Sequence, residues 1–134
     1  MSERQTILVV EDDEKVRQVT VSALGTLGYE VIEAETGDQA LEILRDGSGI
    51  DLVLSDVKMP GATSGIDLAR RIQGDWPWIK VLLTSGYIEA EADIEQFSVI
   101  FKPYRVTELA EKLHGLLASG AHPAVAEARV ARIA

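Results

Sequence analysis

Short apolar runs alternate with stretches of helical spacing along most of this chain. Residues 7–10, Ile-Leu-Val-Val, form a wholly apolar run, the pattern of a buried strand. From Asp13 the period changes. Val16, Val19, Ala23, Leu24 and Leu27 recur at helical spacing, with Asp13 placed to cap the helix and Gly28 to stop it. Residues 29–34 alternate as a second strand. Thr36 and Gln39 fit a capping box that opens a helix through Ala40, Leu41, Ile43 and Leu44, closed by Asp46-Gly47-Ser48-Gly49. A third strand is expected at 50–55 and a loop at 59–63. Ser64 and Asp67 form a second capping box ahead of Ile66, Leu68, Ala69 and Ile72. Trp76-Pro77 turns the chain into a strand at 80–83. A short, weakly apolar helix is expected at 88–97 and a fifth strand at 98–101. Val106, Leu109, Ala110, Leu113, Leu116 and Leu117 then mark an amphipathic helix that ends near Gly120.

Strand followed by helix, five times over, predicts an α/β fold: a parallel sheet with helices on both faces. In such sheets ligands bind outside the carboxyl ends of the strands, where the strand order switches direction. The residues at those ends here carry chemistry. The first run delivers Glu11, Asp12 and Asp13; the third delivers Asp56; the fourth delivers Thr84; the fifth delivers Lys102 and Pro103. Taken singly each has a plain structural role: Asp13 as a helix cap, Thr84 as a strand-end hydroxyl, Lys102 as a surface lysine, Pro103 as a turn that can hold a cis bond. Their joint occurrence at consecutive strand ends is what suggests one site. The last stretch is separate. Pro123 can start a helix, and Val125, Ala128, Arg129 and Arg132 follow at helical spacing, so a frayed tail and an extra helix both fit.

Composition narrows the chemistry. At 134 residues the chain is one domain with room for a core, and 46% of it is apolar. Thirteen basic residues against 22 acidic leave a net charge of -9, which argues against nucleic acid as a direct partner and is compatible with cation binding. There is no cysteine, so neither disulfides nor thiolate metal sites arise. The opening residues are polar, and no apolar run approaches the ~20 residues of a membrane helix. A cytoplasmic protein without membrane contact is expected.

Clustered carboxylates repel unless a cation neutralises them or some stay protonated. Hard divalent cations take oxygen ligands, and Mg²⁺ keeps several waters beside one or two carboxylates. A carboxylate facing solvent can also act as a nucleophile and form an aspartyl-phosphate. Phosphoryl transfer then needs a metal, a lysine and a hydroxyl or N–H around the transferred oxygens. Asp56, Lys102 and Thr84 fit those roles.

The stretch from about Gln5 to Ser119 resembles the receiver domain of bacterial two-component response regulators. The pieces that carry the resemblance are Ile7-Leu8-Val9-Val10-Glu11-Asp12-Asp13, Ser55-Asp56-Val57-Lys58-Met59-Pro60-Gly61, Leu83-Thr84-Ser85-Gly86 and Lys102-Pro103-Tyr104. The resemblance implies a doubly wound, flavodoxin-like sheet of five parallel strands in the order 2-1-3-4-5. It implies that Asp56 accepts a phosphoryl group from a phosphohistidine on a histidine kinase or histidine phosphotransfer protein. Asp12 and Asp56 would bind Mg²⁺ directly, Glu11 through water, and Lys58 through its backbone carbonyl. Thr84 would donate its hydroxyl to the phosphoryl group and Lys102 would pair with it. The receiver is expected over 1–119, with 120–134 as a C-terminal tail. Such a protein catalyses only its own phosphorylation and dephosphorylation, and hands the signal to a downstream protein.

Three details refine the resemblance. Gly65 lies nine positions after Asp56, one more than in the commonest receivers. The loop Met59-Pro60-Gly61-Ala62-Thr63-Ser64-Gly65, with Thr84-Ser85-Gly86-Tyr87, is similar to receivers that stand alone or are attached to hybrid kinases. Three residues before the lysine, many receivers carry a Tyr or Phe that moves inward on activation; here the residue is Val99, and Tyr104 is the expected participant instead. Two beyond Asp56 and two beyond Thr84 stand Lys58 and Gly86, which offer no carboxylate or amide to orient a hydrolytic water, so fast self-dephosphorylation is not expected. Rival readings are a receiver that acts as an unphosphorylated scaffold and a small Mg²⁺-dependent aspartyl phosphatase. The filled acidic, threonine and lysine positions disfavour the first. For the second, Glu11-Asp12-Asp13 has the acids but not the arrangement of an aspartyl nucleophile with an acid two residues later, and no cap domain to hold a substrate is expected. A flavin protein is weaker still, because no Ser/Thr-rich phosphate loop follows the first strand.

Overall fold

The computed structural model describes residues 4–47, 49–59, 61–86 and 97–118. The described elements run β1 (Thr6–Val10), α1 (Glu14–Thr26), β2 (Glu30–Ala34), α2 (Gly37–Arg45), β3 (Leu52–Asp56), α3 (Gly65–Asp75), β4 (Lys80–Ser85), β5 (Ser98–Phe101) and α4 (Val106–Ala118). All five strands are parallel, in the order β2-β1-β3-β4-β5. The order reverses between β1 and β3, so their carboxyl ends open a crevice. The expected helix at 88–97 falls almost wholly outside the described residues, as do Tyr87 and the tail at 120–134.

The sheet is covered on both faces. Leu8, Val10 and Val53 pack with Leu41 and Leu44 of α2 and with Leu68 and Ile72 of α3. Ile7, Val9, Leu52 and Leu54 pack on the other face with Leu24 of α1 and with Leu109 and Leu113 of α4. The alternation of strand residues between faces is the period-2 geometry of a strand. Leu8, Leu24, Leu52, Leu68, Leu82, Leu109 and Leu113 are fully buried. Truncating any of them to alanine is expected to cost about 2–5 kcal/mol.

Helix starts follow the local chemistry. Asp13 caps α1 through its carboxylate, which accepts from the Val16 N–H at 3.0 Å. Ser64 and Asp67 form the reciprocal capping box at α3. At α2 only half of the expected box forms. Thr36 accepts from Gln39 N–H, but the Gln39 side chain accepts from Glu35 N–H at 2.7 Å, one residue before the cap. The longer glutamine side chain reaches past the cap residue, whereas aspartate does not. α1 ends in a Schellman motif: Gly28 takes φ 96°, its N–H donates to Gly25 O, and Tyr29 N–H donates to Leu24 O.

One sequence expectation needs correcting. The apolar spacing of α1 points to Val16, Val19, Ala23, Leu24 and Leu27 as an inward stripe, of which Leu24 alone is fully buried. The buried residues are Arg17, Thr20 and Leu24, while Val16 and Leu27 are exposed and Val19 is 71% exposed. The reason at Arg17 is polar: its guanidinium meets a carbonyl and two carboxylates. Thr20 instead donates its hydroxyl back to Val16 O and borders a small cavity with Val9 and Leu54.

Candidate functional site

Four strand ends meet around one group of side chains. Asp56 is the last residue of β3 and stands level with Thr84 of β4 in the parallel register. Val57 N–H donates to Thr84 O at 2.9 Å, which extends the ladder one residue beyond the aspartate. Glu11 follows β1 directly, and its N–H donates to Ala34 O at the end of β2. Lys102 follows β5, and its N–H donates to Ser85 O. Side chains from four separate strand ends therefore converge, each at or directly after its strand.

Lys102 Nζ lies 3.2 Å from Asp56 Oδ2 and 3.4 Å from Glu11 Oε1. Glu11, Asp12 and Asp56 each offer a carboxylate oxygen, and these atoms lie within 4.8 Å of one another. Trans ligands of an octahedral Mg²⁺ stand roughly 4.2 Å apart, twice its ~2.1 Å bond, so hard-cation binding fits both the spacing and the donor type. Glu11 is buried, Asp56 is half-buried and Asp12 is exposed, which leaves one side of the group open to solvent. Thr84 is buried in the wall beside it. A cavity of about 10 Å³, the space of one water, lies among Glu11, Asp56, Thr84, Lys102 and Tyr104. Lys58 is exposed two residues past Asp56. Asp13 is the cap of α1, and its N–H donates to Glu11 Oε2 at 3.2 Å. The peptide bond between Lys102 and Pro103 is cis.

The electrostatics of the group follow from one ammonium among three carboxylates. Burial pushes the Glu11 carboxyl above its ordinary value; the Asp13 N–H and Lys102 pull it back, while Asp12 and Asp56 push it further up. Burial alone would lower the Lys102 ammonium, but the Asp56 and Glu11 carboxylates outweigh it and raise its pKa. The two directions agree physically: a single cation cannot compensate three acids, so the most buried acid stays destabilised as an anion.

Two glycines let the backbone reach this arrangement. A Cβ on Gly65 would stand 2.0 Å from Asp56 O and 2.8 Å from Val57 Cα, and Gly65 N–H donates to Val57 O. A Cβ on Gly37 would stand 2.6 Å from Thr63 O, and Thr63 Oγ1 donates to Asp38 at 2.6 Å. The loop after Asp56 is thus pressed against both the aspartate and the start of α2. The sequence marks Gly65 only by its position after Asp56; that nothing larger fits there comes from the packing. Arg17 is the other residue that sequence patterns pass over. It is buried, and its Nη1 donates to Glu11 O at 2.9 Å.

The profile described as response regulator receiver domain matches residues 7–114. The chain belongs to the response regulator receiver domain family. It is 38% identical over 124 residues to the sensor kinase CckA of Brucella abortus, covering 87% of this chain and 13% of that protein. It is 31% identical over 116 residues to the response regulator receiver protein CpdR of the same organism, covering 83% of this chain and 95% of that protein. The crystal structure of the response regulator TrrA from Thermotoga maritima, in complex with Mg²⁺ and BeF, superposes with a TM-score of 0.77 at 32% identity, over 84% of this chain and 99% of that one. The chain thus spans a small part of CckA and nearly all of CpdR. Among the described residues, no helix of this receiver is long and apolar enough to cross a membrane.

Proposed function

We propose that this receiver is the phosphoacceptor of a two-component phosphorelay, with Asp56 as the residue that takes the phosphoryl group. An Asp56 carboxylate oxygen forms the new P–O bond while the P–N bond to a partner's phosphohistidine breaks. The bonding pair stays on that ring nitrogen, and the imidazole leaves neutral because its other nitrogen already carries a proton. Asp12 and Asp56 would hold Mg²⁺ directly, Glu11 through water, and the Lys58 carbonyl would add a ligand. When bound, the metal supplies positive charge beside the transferred oxygens. Thr84 donates its hydroxyl to the phosphoryl group and Lys102 pairs with it. The observation that carries this reading is the contact of Lys102 with both Asp56 and Glu11, at the strand ends where three carboxylates gather.

The donor is a histidine kinase or a histidine phosphotransfer protein, and the phosphorylated form engages a downstream protein in the cytoplasm rather than nucleic acid or membrane. The receiver occupies 1–119 and 120–134 is a tail, in a protein that stands alone or in one that continues into a hybrid kinase. It catalyses only its own phosphorylation and dephosphorylation. Lys58 and Gly86 leave the hydrolytic water unaided, so the phosphorylated form is long-lived; a lifetime of seconds contradicts this.

Incubating the full chain with acetyl phosphate and Mg²⁺, followed by intact mass, tests the reading. One phosphoryl adduct is expected, absent in Asp56→Asn. No adduct favours the scaffold reading. Turnover of a small phosphomonoester favours the phosphatase reading.

A further inference from the structure

Arg17 is the only buried cation among the described residues, and the phosphoacceptor chemistry above makes no use of it. Its side chain is 7% exposed, yet each of its three nitrogens has a partner. Nη1 donates to Glu11 O at 2.9 Å, Nε pairs with Glu33 Oε1 at 3.0 Å, and Nη2 pairs with Glu35 Oε1 at 3.5 Å. Gln18 Nε2 also reaches Glu33 Oε1, at 3.4 Å. The guanidinium thus ties the start of α1 to the end of β1 and to the end of β2. Burying a charge is costly unless it is paired, and an apolar residue would continue the Leu24 stripe at lower cost.

We infer that Arg17 is a positioning residue for the cation site: it holds the peptide that joins Glu11 to Asp12 and thereby sets the affinity for Mg²⁺. This rests on the receiver reading above. Glu11 N–H is held by Ala34 O, and Glu11 C=O is held by Arg17, so the residue is fixed on both sides. The same peptide carries the N–H of Asp12, whose exposed side chain has little packing to place it. Glu11 and Asp12 supply two of the three carboxylates of the site. Lysine is a poor substitute, because one ammonium cannot present a rigid fork to a carbonyl and two carboxylates at once.

The inference has a sign that simple electrostatics does not share. By Coulomb's law alone, removing a cation near the site should tighten Mg²⁺ binding. Loss of positioning should weaken it. Titrating the full chain with MgCl₂, followed by the amide shifts of Asp12 and Asp13, gives the dissociation constant without any phosphorylation. Arg17→Met and Arg17→Lys are both expected to raise it about tenfold, the lower range for lost outer-shell support of a metal ligand. An unchanged or tighter constant in Arg17→Met overturns the inference. Should that variant fail to fold, Arg17→Lys decides, since it keeps the charge and loses only the fork. Glu33→Gln, measured at high salt where Coulomb effects are screened, is expected to weaken binding about threefold, a partial version of the same loss. Wild type that binds while every variant binds equally well overturns the role of Arg17 and leaves the receiver reading intact. Wild type that fails to bind Mg²⁺ overturns both.

Discussion

The two ends of the site are held in different ways. At the acidic end, Glu11 is fixed through its N–H by Ala34, through its carbonyl by Arg17 and through its carboxylate by Asp13 N–H. At the lysine end, Lys102 follows the four-residue edge strand β5, with one backbone bond to Ser85 and a side chain 30% exposed. Glu11 is 8% exposed by the same measure. A hard-cation site gains affinity when its oxygen ligands are placed in advance, since Mg²⁺ tolerates little departure from its octahedron. A residue that reports the arrival of charge must instead be able to shift towards it. Under the proposed function, the division between a braced β1 end and a lightly braced β5 end would suit those two tasks.

The sharpest way to break this picture lies between the ends, at the loop that presses on Asp56. Gly65→Ala places a Cβ within 2.0 Å of Asp56 O, against backbone that cannot swing away. A loss of roughly 3 kcal/mol in chemical denaturation is expected, the upper range for overpacking. The matched control is Gly86→Ala, where a Cβ meets nothing within 4 Å among the described residues and stability should change by less than ~0.5 kcal/mol. Equal effects at the two glycines would show that the approach of α3 to Asp56 does not matter.

Lys102 provides the next test, because it is the second cation beside the carboxylates and should behave opposite to Arg17. It contacts Glu11 and Asp56 itself and so competes with a metal for them. Lys102→Ala is expected to tighten Mg²⁺ binding about fivefold at low salt, the equivalent of roughly 1 kcal/mol for a half-exposed pair, and less at high salt. Weaker binding in this variant would place Lys102 among the supports of the acidic end and erase the contrast.

A smaller effect concerns pH. The folded-state pKa of Glu11 is raised above the ordinary 4.5, with burial as the main cause. Between 4.5 and the raised value the folded protein keeps a proton that the unfolded chain has released. Stability therefore falls as pH rises through that window, and the penalty is complete above the folded pKa. Thermal melts of wild type minus Glu11→Gln isolate this slope in metal-free buffer. Saturating Mg²⁺ favours the carboxylate and should flatten it. A difference curve that rises with pH in metal-free buffer would contradict the burial account.

Much of the fold and the site can be read from the chain, and the exceptions have a common cause. The strand ends bearing Glu11, Asp56, Thr84 and Lys102 are marked by short apolar runs, and the caps Asp13 and Ser64 by local chemistry that needs no tertiary context. α1 is different. Val16 and Val19 look like its buried stripe, but Arg17 faces inward onto a carbonyl and the ends of two glutamates, and Thr20 is buried with its hydroxyl turned back to Val16 O. A buried arginine cannot be told from a surface one by periodicity. The half-formed box at Thr36 and the crowding at Gly65 are invisible for the same reason: each depends on what another segment brings to it.

The subtlest expectation concerns Val99 and Tyr104. Val99 is half-buried against Val57, Ala69 and Leu83, on the face of the sheet that α3 covers. Tyr104 is half-buried on the opposite face, against the group that contains Ile7, Leu54 and Ile100, and it borders the small cavity shared with Thr84, Lys102 and Asp56. An aromatic ring at 104 therefore cannot stand in for one at 99 by occupying the same space. If it responds to charge on Asp56, it does so from the α1 and α4 side, two residues along the backbone from Lys102. Beryllofluoride with Mg²⁺ mimics the phosphoryl group, and the ring-proton shifts of Tyr104 then report its surroundings. A changed shift is expected, while Tyr104→Phe should alter stability by less than ~0.5 kcal/mol, since the ring is kept. A ring whose shifts stay the same with and without beryllofluoride would confine the lysine end's response to Lys102 and the face of Val99.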